Sequence, residues 1–300
     1  MIENPTVTAC LSVYNAELYV GEAIRSILAQ TFRDFEFIII DDGSKDGSKQ
    51  IIEKFARQDA RIRFISRENR GIVTSANEQL SLARGKFIAR MDADDVSLPH
   101  RFERQLQFLS AHPEVVCCGS KVMLTDPQGL PLRQMPDQLT HDEIDAALLT
   151  GVVQAVYHST TMCRKSALDQ IGGYQEFTNI EDLDLFLRLA EIGQVVNLPE
   201  VLGNYRQHMQ SIGHARMDAQ RLAARAVTEA AHRRRGLPLP PEKPVNARTM
   251  SHGEQYRKWA WWALGGGNPR SARKYAIRCL AMAPWAAQNW RLMFCALRGR

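Results

Sequence analysis

Three carboxylates fall within four residues, Asp92-Ala93-Asp94-Asp95, directly after a mostly apolar run at 86–91. Like charges that close repel and raise one another's pKa. A divalent cation removes that cost, and oxygen ligands of this kind suit Mg²⁺ or Mn²⁺. A metal held by so few side chains shares its shell with a phosphate-bearing ligand. A second acidic turn, Asp41-Asp42-Gly43-Ser44, follows another apolar run. A carboxylate there suits a nucleobase or ribose, and Gly43 and Gly47 permit a tight turn and close ligand approach. The same stretch also offers a helix N-cap at Ser44 or Asp46. A third pair, Glu181-Asp182, opens a helical pattern through Leu183, Phe186, Leu187 and Ala190. A helix N-terminus favours an ionised carboxylate, so a base placed there is expected to stay deprotonated near neutral pH. Read singly, these features also fit a solvated turn, a cap and a dipole-complementing pair.

The elements that must carry them alternate. Residues 6–13, 35–40, 61–65 and 87–91 read as strands. Residues 19–30, 48–57 and 72–82 read as helices, followed by one from Pro99 to about Ala111. That last helix is expected to turn Phe102, Leu106 and Leu109 inward and Arg101, Arg104 and Gln105 outward. The alternation predicts an α/β fold with a mostly parallel sheet. Ligands of such sheets bind beyond the carboxyl ends of the strands, where both acidic turns fall. Residues 157–162 read as a further strand; His158 within it lines the acceptor side or sits satisfied in the core.

Composition narrows the class. A chain of 300 residues, 45% hydrophobic and 24% charged, suits a soluble protein with one large domain and an appendage. The charge is uneven: residues 215–300 hold 17 Lys and Arg against 4 Asp and Glu, and residues 1–214 hold 21 against 29. A net of +13 beside a net of −8 points to an anionic surface as partner of the tail. Nucleic acid is disfavoured, because the acidic turns would repel phosphate backbones. The six cysteines form no C-x-x-C pair and read as reduced, buried thiols, with zinc binding disfavoured. No leader pattern opens the chain, and no stretch approaches the roughly 18 apolar residues of a membrane span. The expected location is cytoplasmic, peripheral at the inner face of the membrane. The first strand is followed by neither G-x-G-x-x-G nor a P-loop, which argues against a dehydrogenase or a P-loop enzyme.

Several blocks together resemble family 2 glycosyltransferases. They are Val13-Tyr14-Asn15-Ala16-Glu17, Ser26-Ile27-Leu28-Ala29-Gln30-Thr31-Phe32, the run from Phe35 to Ser44, Glu68-Asn69-Arg70-Gly71 with Asn77, Asp92-Ala93-Asp94-Asp95, Glu181-Asp182-Leu183-Asp184-Leu185 and Tyr205-Arg206-Gln207-His208. The resemblance covers about residues 5–212, in order. It implies the GT-A fold, a Rossmann-like mixed, mostly parallel sheet flanked by helices. It also implies a nucleoside-diphosphate sugar donor (a UDP- or TDP-sugar), Mg²⁺ or Mn²⁺, and inversion at the anomeric carbon. Carried onto this chain, the resemblance assigns Asp42 to the nucleobase, with the loop of Ser12, Tyr14 and Asn15 beside it. Read from the residues alone, Asn69 and Gly71 border the nucleotide or form a plain turn, and Arg206, with Tyr205 and His208, closes over the diphosphate or makes a surface salt bridge; the resemblance gives the roles that follow. Asp92 approaches ribose or metal, Asp94 is the main metal carboxylate, and Asp95 is a weaker candidate. Asp182 is the general base; apart from the resemblance, His158, Glu181 and His208 are candidates for the acceptor side. Many members carry Pro or Thr where this chain has Ser12. The implied activity is hexosyl or deoxyhexosyl transfer (EC 2.4) to a glycan or lipid-linked acceptor, in polysaccharide, lipopolysaccharide or related glycoconjugate synthesis. Without a Q-x-x-R-W motif, addition of a single sugar is expected. The alternatives are a sugar nucleotidylyltransferase, which would want a basic glycine-rich loop after the first strand, and a non-catalytic nucleotide-sugar-binding relative.

On this reading residues 1–214 form the transferase domain and 215–300 a basic α-helical module. Within the module a proline-rich linker spans 237–244, and helices are expected at 217–235, 251–264, 269–282 and 286–298. All five tryptophans lie in it. Most are expected to pack a small helical core, while the basic excess favours attachment to an anionic membrane surface.

Overall fold

The computed structural model describes residues 4–177, 180–209, 217–239 and 250–299. The boundary near residue 214 and the linker from residue 240 onward lie outside them. Strands β1 (Val7–Val13) and β2 (Phe35–Asp41) are buried almost throughout. Their side chains alternate between two apolar clusters. Val7, Leu11, Phe35 and Ile39 join Ile24 and Ile27 of helix α1 (Val20–Leu28). Cys10, Ile38 and Ile40 join Val73, Ala76 and Leu80 of α3 (Ile72–Leu82). A sheet covered on both faces needs apolar residues at every position, which is why these strands read as continuous runs. With α2 (Ser48–Gln58), β3 (Ile62–Ser66) and β4 (Phe87–Asp92) they form a parallel half-sheet in the order β3-β2-β1-β4.

The second half of the sheet is mixed. β8 (Met162–Arg164) runs antiparallel to β4 and to β6 (Val115–Thr125). β6 pairs in parallel with the long β9 (Gln194–Arg206) and antiparallel with β7 (Pro131–Met135). The end of β9 also takes up β5 (Val96–Ser97), the two-residue strand just past the acidic turn. Helices α4 (Arg101–Ala111), α5 (His141–Leu149), α6 (Lys165–Gln170) and α7 (Glu181–Ala190) complete the domain.

Three local expectations are corrected. Arg101 and Gln105 do not face solvent; both are wholly buried. Arg101 donates to the carbonyls of Arg90, Ser159 and Thr161, and Gln105 to those of Cys118 and Thr160. The backbone between residues 155 and 162 explains this. It is not a continuous strand but a 3-10 turn at His158–Thr160 before β8. Buried carbonyls around this turn take side-chain donors, that of Thr161 in addition to the Arg90 amide. Finally, Asp46 accepts from the Ser48 amide, but α2 begins one residue beyond Gly47 and has no side-chain cap bond at its N-cap.

The C-terminal helices fall into two groups. α8 (Met217–Arg234) packs Val227 and Ala231 into the core beside α5 and α7, and Arg234 and Arg235 pair with Glu191 and Asp145. α9 (His252–Gly265), α10 (Pro269–Met282) and α11 (Ala287–Arg298) form a bundle against β6 and β7. Trp259 is the buried centre of that bundle, edge-on to Tyr275. The expectation for the tryptophans is otherwise overturned: Trp261, Trp285 and Trp290 are exposed, because the small Ala260, Ala263, Ala272 and Ala276 bring the helices together closely.

Candidate active site

At the carboxyl edge of the parallel strands Ser12 stands between Ile40 and Asp92, and Val13 pairs with Asp41. The turns after β2 and β4 thus flank the end of β1, each about 4.8 Å away by strand spacing. The turn after β1 is tied to the turn after β2. Asn15, left-handed at φ 51°, donates its amide to the Ser44 hydroxyl, and its side-chain oxygen accepts from the Lys45 amide. Ser12 donates to Gln79 of α3, and Tyr14 is half exposed at the rim.

Asp42 is buried. Its carboxylate accepts the amides of Arg70 (3.0 Å) and Gly71 (2.9 Å) and pairs with Arg67, which itself bonds Glu78 and Ser75. These bonds close the 67–71 loop over the 42–44 turn. A Cβ on Gly43 would lie 2.7 Å from the Asn69 nitrogen, so this crossing requires glycine. The Asn69 side chain is exposed there. A carboxylate has about four lone-pair sites. Three are used here, leaving room for one more donor.

The turn after β4 is held from both ends. Arg90, nearly buried in β4, reaches the Asp92 carboxylate at 3.0 Å. Asp95 is buried and accepts the Arg206 amide at 2.8 Å. Burial, with the charges of Asp94 and Asp92, pushes the Asp95 pKa well above the usual carboxylate range. The Arg206 guanidinium is engaged with protein groups. It donates to the Asp94 carbonyl (2.9 Å), the Pro127 carbonyl (3.0 Å) and Glu22 (2.7 Å), and lies over the Tyr19 ring. His208, two residues on, places Nε2 2.9 Å from Asp94 Oδ2. Its ring lies beside Tyr19. The fold therefore brings His208 to Asp94. The side chains of Asp94 and Asp92 are each about a third exposed (32% and 33%), so both are reachable from solvent.

Asp182 lies at the first turn of α7, accepting the Leu183 amide at 2.8 Å. Burial, then the charge of Glu181 and to a lesser degree that of Asp92, pushes its pKa up to about 8. The expectation that the helix N-terminus keeps it ionised near neutral pH is overturned: desolvation and like charge outweigh the dipole. The charge of Asp92 thus reaches Asp182. Glu181 is raised too, chiefly by burial. His158 lies behind, buried, 2.7 Å from the Tyr174 hydroxyl. Burial and Arg90 push its pKa down to about 3, which keeps it neutral. Sequence reasoning missed Arg67, Arg90 and Tyr174. Arg90 had one signal, a lone charge inside an apolar strand.

Among the described residues no group of three or more His, Cys, Asp and Glu side chains is arranged to hold a metal. Asp94 and His208 form a ready pair of ligand atoms, with Asp92 on the same turn. One or two carboxylates suit Mn²⁺ or Mg²⁺, an added imidazole favours Mn²⁺ of the two, and so sparse a set leaves positions for phosphate oxygens and water. The residues fit a divalent ion that arrives with a diphosphate.

Residues 8–172 match the family model described as glycosyl transferase family 2. The EpsE protein of Bacillus subtilis, a glycosyltransferase by name, is 34% identical over 213 residues, covering 69% of this chain and 75% of its own length. The amylovoran biosynthesis glycosyltransferase AmsE of Erwinia amylovora is 30% identical over 201 residues, covering 65% and 74%. Among solved structures, the mannosyltransferase PcManGT of Pyrobaculum calidifontis, in complex with GDP-Man and Mn²⁺, covers 99% of this chain and 86% of its own at TM-score 0.58 and 18% identity. TarS residues 1–349 of S. aureus, in complex with UDP, covers 98% and 92% at TM-score 0.55 and 15% identity. At such identities the two structures speak for the fold.

Proposed function

The chain belongs to glycosyl transferase family 2 and is a nucleotide-sugar glycosyltransferase; from that premise we propose that it is metal-dependent and inverting, and adds one sugar to an acceptor hydroxyl in polysaccharide or related glycoconjugate synthesis. The observation that carries this reading is the pairing of Asp94 with His208 just past the carboxyl end of β4, where Asp92 stands beside Ser12 of β1. Its support from relatives is the name of AmsE and the Mn²⁺ in the PcManGT complex. We assign the base to the pocket of Asp42, Tyr14, Asn15, Ser12 and Asn69, where Asp42 has a lone pair left for an N–H of the nucleobase. UDP- or TDP-sugars remain the favoured donors.

In the transfer step an acceptor oxygen attacks the anomeric carbon from the face opposite the diphosphate. The bond to the diphosphate oxygen breaks, and the hydroxyl proton passes to Asp182. A positioned base contributes roughly 10²–10⁴-fold. The Leu183 amide fixes the Asp182 carboxylate for that role. Asp94, Asp92 and His208 would hold the divalent ion, which when bound supplies Lewis-acid stabilisation of the charge on the departing diphosphate. Arg206 positions Asp94 and Asp95 by clamping their turn, in place of direct contact with phosphate. Glu181 and His158 shape the acceptor side from behind. No described helix is long and apolar enough to cross a membrane; attachment to the inner membrane face would run through the basic C-terminal bundle.

Thermal unfolding against UDP, TDP, GDP and CDP, each with and without Mn²⁺, tests this. A ligand at 100 times its Kd adds roughly 2.7 kcal/mol. Metal-dependent stabilisation by one nucleotide, lost in Asp94→Ala, is the expected result. Equal stabilisation with and without metal would overturn metal dependence, and no response to any nucleotide would overturn the donor site.

A further inference from the structure

Residues 250–299 carry eight Lys and Arg against one acidic residue, Glu254. Glu254 is bound in the capping box of α9, so it does not offset that charge elsewhere. The bundle buries Asn289, Leu292 and Ala296 of α11 inward. The opposite face of α11 is apolar as well. Trp290, Phe294 and Leu297 are 58%, 56% and 62% exposed, at helical spacing on one stripe. The stripe continues into the turn before the helix. Trp290 Nε1 donates to the Pro284 carbonyl at 2.7 Å, which sets the indole beside the turn bearing Trp285. Trp285 is the most exposed large apolar residue described, at 82%. Arg291 and Arg298 border the stripe, and the Arg298 guanidinium lies 4.3 Å from the Phe294 ring centroid.

A helix apolar on both faces has a second partner beyond its own bundle. We propose that this face, formed by Trp285, Trp290, Phe294 and Leu297 with Arg291 and Arg298, docks on an anionic lipid bilayer. The proposal rests on the peripheral-attachment part of the reading above and on none of its sugar chemistry. Composition selects the occupant. Indole rings with an apolar body and a polar edge settle at the headgroup level. Arginines at the margin meet lipid phosphates, and their stems lie along the apolar surface. An acidic protein groove would match the charge equally but not the fully outward Trp285, which suits a deformable medium.

The test is sedimentation of the full chain with vesicles of phosphatidylcholine alone or of equal phosphatidylcholine and phosphatidylglycerol. Binding to the mixed vesicles, weakened by salt and absent with phosphatidylcholine alone, is expected. The triple variant Trp285→Ser, Trp290→Ser, Phe294→Ser is expected to lose roughly tenfold or more in binding. In the native chain, brominated lipid is expected to quench tryptophan emission, a readout that needs no variant. Equal binding by the triple variant, or no quenching, overturns the proposal. So does a dimer that the triple variant converts to monomer, which would assign the face to a second copy. The nucleotide-induced thermal shift separates the two readings. Its retention in the triple variant shows an intact fold, and its absence from a native chain that still binds vesicles would sink only the transferase reading.

Discussion

A carboxylate that takes a proton during catalysis works best when its pKa lies near the working pH. Asp182 is pushed up to about 8, first by burial and then by Glu181. Transfer is therefore expected to rise with pH and to level off above about 8, read from kcat/KM for the donor against pH, which reports the free enzyme. Glu181→Gln removes the like charge, so its acidic limb is expected at lower pH than the wild type's. An unmoved limb would take the limb away from this carboxylate. The stability linkage has the opposite sense. A carboxyl with a raised folded pKa binds its proton more tightly in the native state. Its contribution is complete below the unfolded value near 4 and is lost as pH rises through about 8. The pH that activates the base thus weakens the fold around it. Asp182→Asn keeps the shape and never ionises. It is expected to lose roughly 10²–10⁴-fold in kcat while keeping donor affinity. Donor affinity that falls as far as turnover would remove Asp182 from the role of base.

At the scale of elements, the acidic turn after β4 owes its shape to β9, over 100 residues later in the chain. Arg206→Met deletes the bonds to the Asp94 carbonyl, Pro127 and Glu22 but touches no proposed ligand atom. It is expected to raise the Mn²⁺ concentration for half-maximal nucleotide stabilisation by roughly 10–100-fold, as support-residue losses do. An unchanged Mn²⁺ requirement would make Arg206 a packing residue only. Arg101 does the same for the turn at His158–Thr160. Arg101→Leu removes the donor to the buried carbonyls of residues 90, 159 and 161, leaving that of Thr161 with the Arg90 amide, and is expected to cost about 3–5 kcal/mol in urea unfolding. These two residues also mark where the sequence stopped being legible. The parallel half was readable because buried strands and amphipathic helices announce themselves by period. The acidic turns and the residue proposed as base were singled out by motif order. Arg101 looked like a surface residue because its own helix has a clean apolar face. The carbonyls that pull it inward belong to segments over ten and fifty residues away, which no local period records. The pairing of His208 with Asp94 was hidden for the same reason: the β5–β9 pairing brings the two together.

At the scale of the whole molecule, the C-terminal bundle reaches the site through one buried carboxylate. Asp126 is wholly buried at the end of β6. Its Oδ1 accepts the amides of Gln128 and Leu130, which shapes the 126–130 turn. Its Oδ2 accepts the Tyr275 hydroxyl at 2.9 Å and pairs with Lys274, both from α10. The same turn offers the Pro127 carbonyl to Arg206, and Arg206 holds the turn of Asp94 and Asp95. The bundle thus neutralises the charge that keeps this turn closed against the clamp. Lys274→Met leaves that charge buried with the tyrosine hydroxyl and two amides alone, a loss of about 3–5 kcal/mol where a buried pair is broken. The turn is expected to relieve this by opening toward water, which withdraws the Pro127 carbonyl from Arg206. Two readouts should then move together: a lower unfolding midpoint and a higher Mn²⁺ requirement for nucleotide binding. Lys274→Arg, which keeps the charge, is expected to restore both in large part. Arg233→Gln, on the exposed side of α8, removes an equal charge from the basic tail and is expected to change neither. A stability loss in Lys274→Met with the Mn²⁺ requirement unmoved would reduce the bundle to a packing appendage. A shift in both would make the bundle a structural support of the metal turn, so that a contact on its outer face bears on the same element that positions Asp94.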